Sequence, residues 1–205
     1  MPKVKICGIT REEDALLCAD EGADFLGLIF HERSKRAVSV ERARALAAAL
    51  RGHRSRPKLV GVFVNQGPRV VNEVVDAVGL DLVQLHGDES EADCASIRVP
   101  VIKAVRVGQS LPETIGRPSA SWLLFDTLDT RQAGGTGRRF DWSLLQAWRR
   151  DRPFFLSGGL TPDDIAAAIS QVRPDGIDIA SGVESAPGIK DHDKVRRLFE
   201  RLRRP

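Results

Sequence analysis

The run "KVKICGIT" (residues 3–10) places Cys7 at the end of a β-branched, apolar stretch, directly before a glycine and a charged segment. A thiol there has two readings: a small buried hydrophobe, the common fate of a lone cysteine, or a base or nucleophile where its thiolate is stabilised. Asp126 closes a second apolar run, "WLLF". Burial would raise its carboxyl pKa and suit a general acid; an N-cap or loop-anchoring carboxylate is the plain alternative. His86, in "VQLHG", is a third proton-transfer group or a hydrogen-bonded structural histidine. Asp178 lies between two isoleucines, so it points away from the face they share, toward either an interior lysine such as Lys5 or a ligand. "GGTG" (134–137), "SGG" (157–159) and "ASG" (180–182) add loops whose backbone N–H groups can approach an anion, although each alone reads as turn punctuation.

These residues are spread over the chain, so a fold must gather them. Short β-branched runs alternate with amphipathic or alanine-rich runs throughout, the pattern of parallel strands joined by helical crossovers. Strands are expected over 4–9, 25–30, 59–64, 82–86, 101–107, 122–127, 154–157 and 177–180, with helices after each in "REEDALLCADEG", "SVERARALAAALR", "RVVNEVVDAVG", the segment holding Cys94, a poorly marked "SLPETIG", "FDWSLLQAWRR", "TPDDIAAAIS" and the C-terminal "KVRRLFERLRR". Eight such units in 205 residues with no linker form, most economically, a single-domain (β/α)8 TIM barrel over 1–205, compact against the ~250 residues typical of that fold. A doubly wound sheet would usually carry a glycine fingerprint after its first strand, and "CGITRE" lacks one. In a barrel the chemistry belongs at the C-terminal ends of the strands. That is where Cys7, "RSKR" (33–36), "NQ" (65–66), "QLHG" (84–87), Asp126 and the glycine loops all fall.

The three cysteines are odd in number and lack C-x-x-C spacing, which argues against a disulfide framework and a cysteine metal site. Cys18 shares a helical face with Ala15, Ala19 and Gly22 and reads, like Cys94, as packing. The net charge of +3 is spread along the chain, so an anionic small ligand suits it better than nucleic acid. In the C-terminal segment Val195, Leu198, Phe199 and Leu202 follow helical spacing, so its basic face is read as the solvated side of a docked helix. No apolar run nears the roughly 18 residues of a membrane span, and a cytoplasmic monomer is expected.

Taken in order, "KICGIT", "FVNQ", "VQLHG", "FDT", "GGTGRRFDW", "FLSGGL", "IDIASGVE" and "PGIKD" resemble the phosphoribosylanthranilate isomerase family of tryptophan biosynthesis, from residue 3 to about 199. The resemblance implies a cofactor-free Amadori rearrangement of N-(5-phosphoribosyl)anthranilate to 1-(2-carboxyphenylamino)-1-deoxyribulose 5-phosphate. It makes Asp126 the general acid that opens the ribose ring and Cys7 the base that takes the C2 proton. Arg36 would meet the anthranilate carboxylate, and Gln84, His86 and Asp178 would contact substrate. Backbone groups around Gly135, Gly137, Gly158, Gly159, Ser181 and Gly182 would hold the phosphate. Asp129, in the loop after Asp126, is a rival acid, but a solvated loop carboxylate donates poorly at neutral pH. Unperturbed groups would be thiolate and protonated carboxyl together only a few times in 10⁵ at pH 7, so the site is expected to raise Asp126, lower Cys7, or both. The alternatives are a sugar-phosphate isomerase of histidine biosynthesis, expected to show two catalytic carboxylates, and a non-catalytic barrel that binds a sugar phosphate.

Overall fold

Strand and helix alternate as the periodicity requires in the computed structural model, which describes residues 1–112, 119–127, 140–148 and 150–203. The strands are β1 (Lys3–Cys7), β2 (Phe25–Ile29), β3 (Lys58–Phe63), β4 (Leu82–Leu85), β5 (Val101–Val107), β6 (Trp122–Thr127), β7 (Phe154–Leu156) and β8 (Gly176–Ile179). They pair in parallel in chain order, and β8 closes on β1. The result is the expected eight-stranded barrel.

Around it run α1 (Glu12–Glu21), α2 (Val40–Leu50), α3 (Pro68–Val78), α4 (Glu91–Ala95), α5 (Ile165–Val172) and α6 (His192–Arg203). Local chemistry sets their ends. Ser39 Oγ accepts from the Arg42 amide at the start of α2, Pro68 opens α3, and Gly79 closes it at φ 77°, the conformation glycine adopts without cost. A Ser90–Asp93 capping box holds the five-residue α4.

Two expectations change. "FDWSLLQAWRR" forms a 3₁₀ helix, Trp142–Ala147, rather than an α-helix. It is short because the chain turns extended at Trp148, whose ring packs edge-on against Phe125 and Phe154. After β8, another 3₁₀ turn (Ser181–Val183) leads into an antiparallel hairpin of β9 (Glu184–Ala186) and β10 (Ile189–Lys190), absent from the periodicity reading. The last four residues of "SLPETIG", 113–116, lie outside the described residues.

Alternation along the strands divides the interior into two cores. Val4, Ile6, Ile177 and Ile179 face outward and pack with Ala15, Cys18, Ala19, Val195, Leu198 and Phe199 of the helices. Cys18 and Cys94 are thus packing cysteines. Inside the barrel Phe25, Val60, Leu82, Ile102, Ala104, Leu124 and Phe155 fill the lower layers, with Phe25 and Phe155 edge-to-face at 5.5 Å. The same inward positions turn polar toward the C-terminal ends: Lys5 and Cys7, Gln84, Asp126 and Asp178. A packed apolar floor under a polar ceiling is what the site stands on.

Candidate active site

Above that floor opens a cavity of about 820 Å³, continuous with solvent and lined by Cys7, Arg36, Gln84, His86, Asp126 and Asp178 among others. Every residue expected to touch substrate side chain to ligand therefore faces one space. A larger hollow of about 1270 Å³ lies at the opposite end, lined by strand starts such as Lys3, Phe25 and Lys58. That end of a barrel carries stability rather than chemistry.

Cys7 owes its room to a neighbour without a side chain. A Cβ on Gly27, its partner across β1 and β2, would sit 2.6 Å from the thiol sulfur. Two residues back on the same inward face, Lys5 is sealed from solvent and donates to Asp178 Oδ1 at 2.9 Å. The register that pairs Lys5 with Asp178 brings them together, so the interior-lysine reading of Asp178 holds, and Asp178 lines the cavity as well. Burial pushes the Cys7 thiol above its ordinary value, and the Asp178 charge adds to this; the Lys5 and Lys190 ammonium groups offset only part. Of the two shifts expected for the pair, the lowering of the thiol is not seen: Cys7 moves up, because desolvation outweighs the nearby cations.

Asp126 is buried, with one carboxylate oxygen accepting from the Thr127 amide at 2.9 Å and the other 3.2 Å from His86 Nε2. Gln84 completes the row, its Nε2 lying 2.8 Å from His86 Nδ1. With the amide donating to Nδ1, the neutral imidazole carries its proton on Nε2, facing Asp126. Gln84 Oε1 is buried without a hydrogen-bond partner among the described residues, an acceptor available to a ligand hydroxyl. Asp129 lies outside the described residues.

Arg36, at the far side of the cavity, is held by Glu184: Nε lies 2.9 Å from Oε1 and Nη2 lies 2.7 Å from Oε2. Its stem crosses Gly8, where a Cβ would come within 2.6 Å of Cδ. The hydrogen bond to Glu184 raises the guanidinium pKa further, so Arg36 is a fixed cation.

Of the glycine loops, Gly158 and Gly159 line the cavity in the left-handed region, at φ 93° and 69°, and Ser181 lies beside them. Gly182 serves a close approach: a Cβ there would collide with the Leu160 carbonyl oxygen, so the loops after β7 and β8 could not meet. Gly135 and Gly137 lie outside the described residues. Of the other strand-end candidates, Asn65 and Gln66 pin loops instead, Asn65 Oδ1 accepting from the Asp88 amide and Gln66 Nε2 donating to the Phe30 carbonyl. Ser34 and Ser157, within the "RSKR" and "SGG" runs, line the cavity, and so does His31, which lies outside every candidate run. Glu184 and Lys190 stand behind the cavity with no role assigned from the sequence, although "SGVE" and "PGIKD" contain them. A charged residue in a two- or three-residue strand carries no periodic signal that would distinguish it from a surface residue.

Known proteins match this arrangement over its whole length. The family description N-(5'-phosphoribosyl)anthranilate (PRA) isomerase fits residues 4–201. A Pseudomonas fluorescens Pf-5 protein named N-(5'-phosphoribosyl)anthranilate isomerase is 48% identical over 209 residues, covering 100% of this chain and 98% of the relative. A crystal structure of phosphoribosylanthranilate isomerase in complex with reduced 1-(o-carboxyphenylamino)-1-deoxyribulose 5-phosphate superposes with a TM-score of 0.82, at 39% identity and 98% coverage of both chains. Monomers generated from the dimeric Thermotoga maritima isomerase also give 0.82, at 38% identity and 100% coverage of both. Since the sequence match spans the barrel and the strand-end residues that first suggested the resemblance converge on one cavity, the chain belongs to the N-(5'-phosphoribosyl)anthranilate isomerase family.

Proposed function

We propose that this chain isomerises N-(5'-phosphoribosyl)anthranilate to 1-(2-carboxyphenylamino)-1-deoxyribulose 5-phosphate, in tryptophan biosynthesis, with Asp126 as general acid and Cys7 as general base. The observation that carries the assignment is that Cys7, Asp126 and Arg36 face one cavity in a member of this family. Asp126 gives its proton to the ribose ring oxygen as the C1–O bond breaks, which leaves an iminium at C1. The Cys7 thiolate removes the C2 proton, and the electron pair neutralises the iminium to an enolamine. Tautomerisation moves a proton from the C2 hydroxyl to C1 and yields the ketone. The pair ends as thiol and carboxylate.

Burial makes a thiolate at Cys7 costly in the protein by itself. The iminium changes that balance by placing a positive charge beside the sulfur, as an opposite charge within about 4–6 Å favours the ionised form. As substrate binds, the thiol proton passes to the Asp126 carboxylate, which supplies the acid and the base together, and the iminium formed on ring opening then holds the thiolate, with Lys5 close by. The orphaned Gln84 Oε1 suits a ribose hydroxyl, and the glycine N–H groups of the loops after β7 and β8 suit the phosphate. The reduced product analogue held by the crystallised relative contains both the carboxylate and the phosphate this division of labour requires.

A monomer is proposed, in contrast to the dimeric Thermotoga maritima relative. The barrel closes its own strand edges, and the exposed large apolar side chains among the described residues, Met1, Val70 and Ile189, lie on separate elements. No helix of the described residues is long and apolar enough to cross a membrane. A cytoplasmic location is proposed on the same footing.

The experiment follows the fluorescence of freshly generated phosphoribosylanthranilate with wild type, Asp126→Asn and Asp129→Asn. Wild type should consume it. Asp126→Asn should abolish turnover yet bind the reduced product analogue nearly as well, because the amide keeps the shape and cannot donate the proton. A dead Asp129→Asn beside an active Asp126→Asn would transfer the acid role to the loop.

A further inference from the structure

The β9–β10 hairpin sets two opposite charges in register, Lys190 across from Glu184, and buries both. The Lys190 ammonium donates to the Cys7 carbonyl at 2.6 Å, to the Ala180 carbonyl at 3.3 Å and to Glu184 Oε1 at 3.0 Å. Those are all the donors an ammonium has. Its backbone amide donates to the fully buried Asp14 at 3.0 Å, which ties the hairpin to α1. Glu184 takes one edge of the Arg36 guanidinium, the edge made by Nε and Nη2. A guanidinium has two such two-donor edges. The other, between Nη1 and Nη2, remains for a ligand, and Arg36 lines the cavity whereas Glu184 and Lys190 do not.

Counting charge shows what the third member is for. Arg36 and Glu184 alone sum to zero, and a substrate carboxylate brought to that pair would leave a net negative charge in a poorly solvated place. With Lys190 the cluster stands at +1, and the carboxylate closes it to neutrality. Glu184 is ionised in this arrangement: burial would push its carboxyl up, but hydrogen bonds and charge from Arg36 and Lys190 outweigh that and hold it below the ordinary value.

We infer that Lys190 sets the charge of the carboxylate-recognition site, cancelling Glu184 so that Arg36 presents one unit of positive charge to the aryl carboxylate of the substrate. Lys190 touches no substrate and is a positioning residue acting through Arg36. The inference rests on the role proposed for Arg36 above, and the variants below separate the two.

The measurement is the ratio of dissociation constants for two probes, the reduced product analogue and its counterpart with hydrogen in place of the aryl carboxylate. Wild type should prefer the carboxylated probe by roughly 10- to 100-fold, the range of a charge-assisted contact. Lys190→Met should lose most of that preference and raise KM more than it lowers kcat. Lys190→Met/Glu184→Gln restores the cluster to +1 and should recover it. A purely structural role would weaken both probes alike and leave the ratio unmoved. An unchanged ratio in Lys190→Met, or a double variant as poor as the single, overturns the inference. Should Lys190→Met not fold, the double variant alone decides: it holds no uncompensated buried anion, and a lost preference there overturns the inference equally. Arg36→Met distinguishes the layers. If it keeps the wild-type ratio, the Arg36 assignment itself falls; if it loses the ratio while Lys190→Met keeps it, only the Lys190 inference falls.

Discussion

Cys7 shows how a residue can be legible in position and misread in state. Its place, at the end of β1 and facing the cavity, follows from strand alternation and the strand-end rule. Its ionisation does not, because the sum of desolvation, Lys5, Asp178 and Lys190 depends on groups up to 183 positions away in the chain. Since burial dominates, the unliganded protein should show an alkylation midpoint for Cys7 above the ~8.5 of a free thiol. The measurement is the pH dependence of the Cys7 alkylation rate in a Cys18→Ala/Cys94→Ala background, with the reduced product analogue giving protection. Cys7→Ala should lower kcat by about 10²–10⁴-fold, as loss of a general base does. A midpoint below ~8.5 would mean that the site pre-forms the thiolate, contrary to the scheme above.

At the scale of elements, the strands were readable because each repeats its signal over several residues, and the eight expected runs overlap the eight observed within two residues at either end. The elements misjudged were short. The 3₁₀ turn Trp142–Ala147 has too few residues to tell a period of three from one of 3.6, and β9 and β10 have none to offer. That is why the Arg36–Glu184–Lys190 cluster escaped the sequence while Arg36 alone did not. Longer elements make sharper predictions, as α1 shows. It buries Cys18 completely among Ala15, Ala19 and their neighbours, and burial pushes that thiol up to about 12 from an ordinary 9.0. The folded chain then keeps a proton that the unfolded chain releases. Stability is fully present below pH 9 and falls as pH rises from there toward 12, by about 1.4 kcal/mol per pH unit for that thiol. Cys7 and Cys94, also raised, steepen the loss. Urea unfolding at pH 7 and pH 10 should therefore show a smaller difference in Cys18→Ala than in wild type. An equal difference in the two proteins would exclude Cys18 as a source of the alkaline loss.

Over the whole molecule, polar burial is concentrated at the end of the barrel that carries the cavity, and it comes with its own pH limit. Glu184 is held by Arg36 and Lys190. Glu89, beyond β4, receives Lys103 Nζ at 2.6 Å and the amides of Asn65 and Gly87 at 2.8 and 2.9 Å. For both, burial would raise the carboxyl pKa, but the cations and donors outweigh it and hold the folded value below the ordinary 4.5. A depressed carboxyl contributes stability that is complete above its unfolded pKa and is lost as pH falls through its folded pKa. The protein should thus lose stability in acid below pH 4.5, at the end where the substrate binds. Glu89 allows this to be tested apart from catalysis, since it does not line the cavity. Glu89→Gln leaves the Lys103 ammonium without its anion, and breaking such a pair costs about 3 kcal/mol at neutral pH. In acid the wild-type carboxyl is protonated too, and the variant has nothing further to lose. The stability gap between the two proteins, measured by urea unfolding, should stay level from pH 7 down to about pH 4.5 and shrink from there toward pH 3, while kcat of the folded variant at pH 7 stays near wild type. A gap that is constant across that range would mean that the glutamate contributes through shape alone and that the charge at this rim of the barrel is not what acid removes.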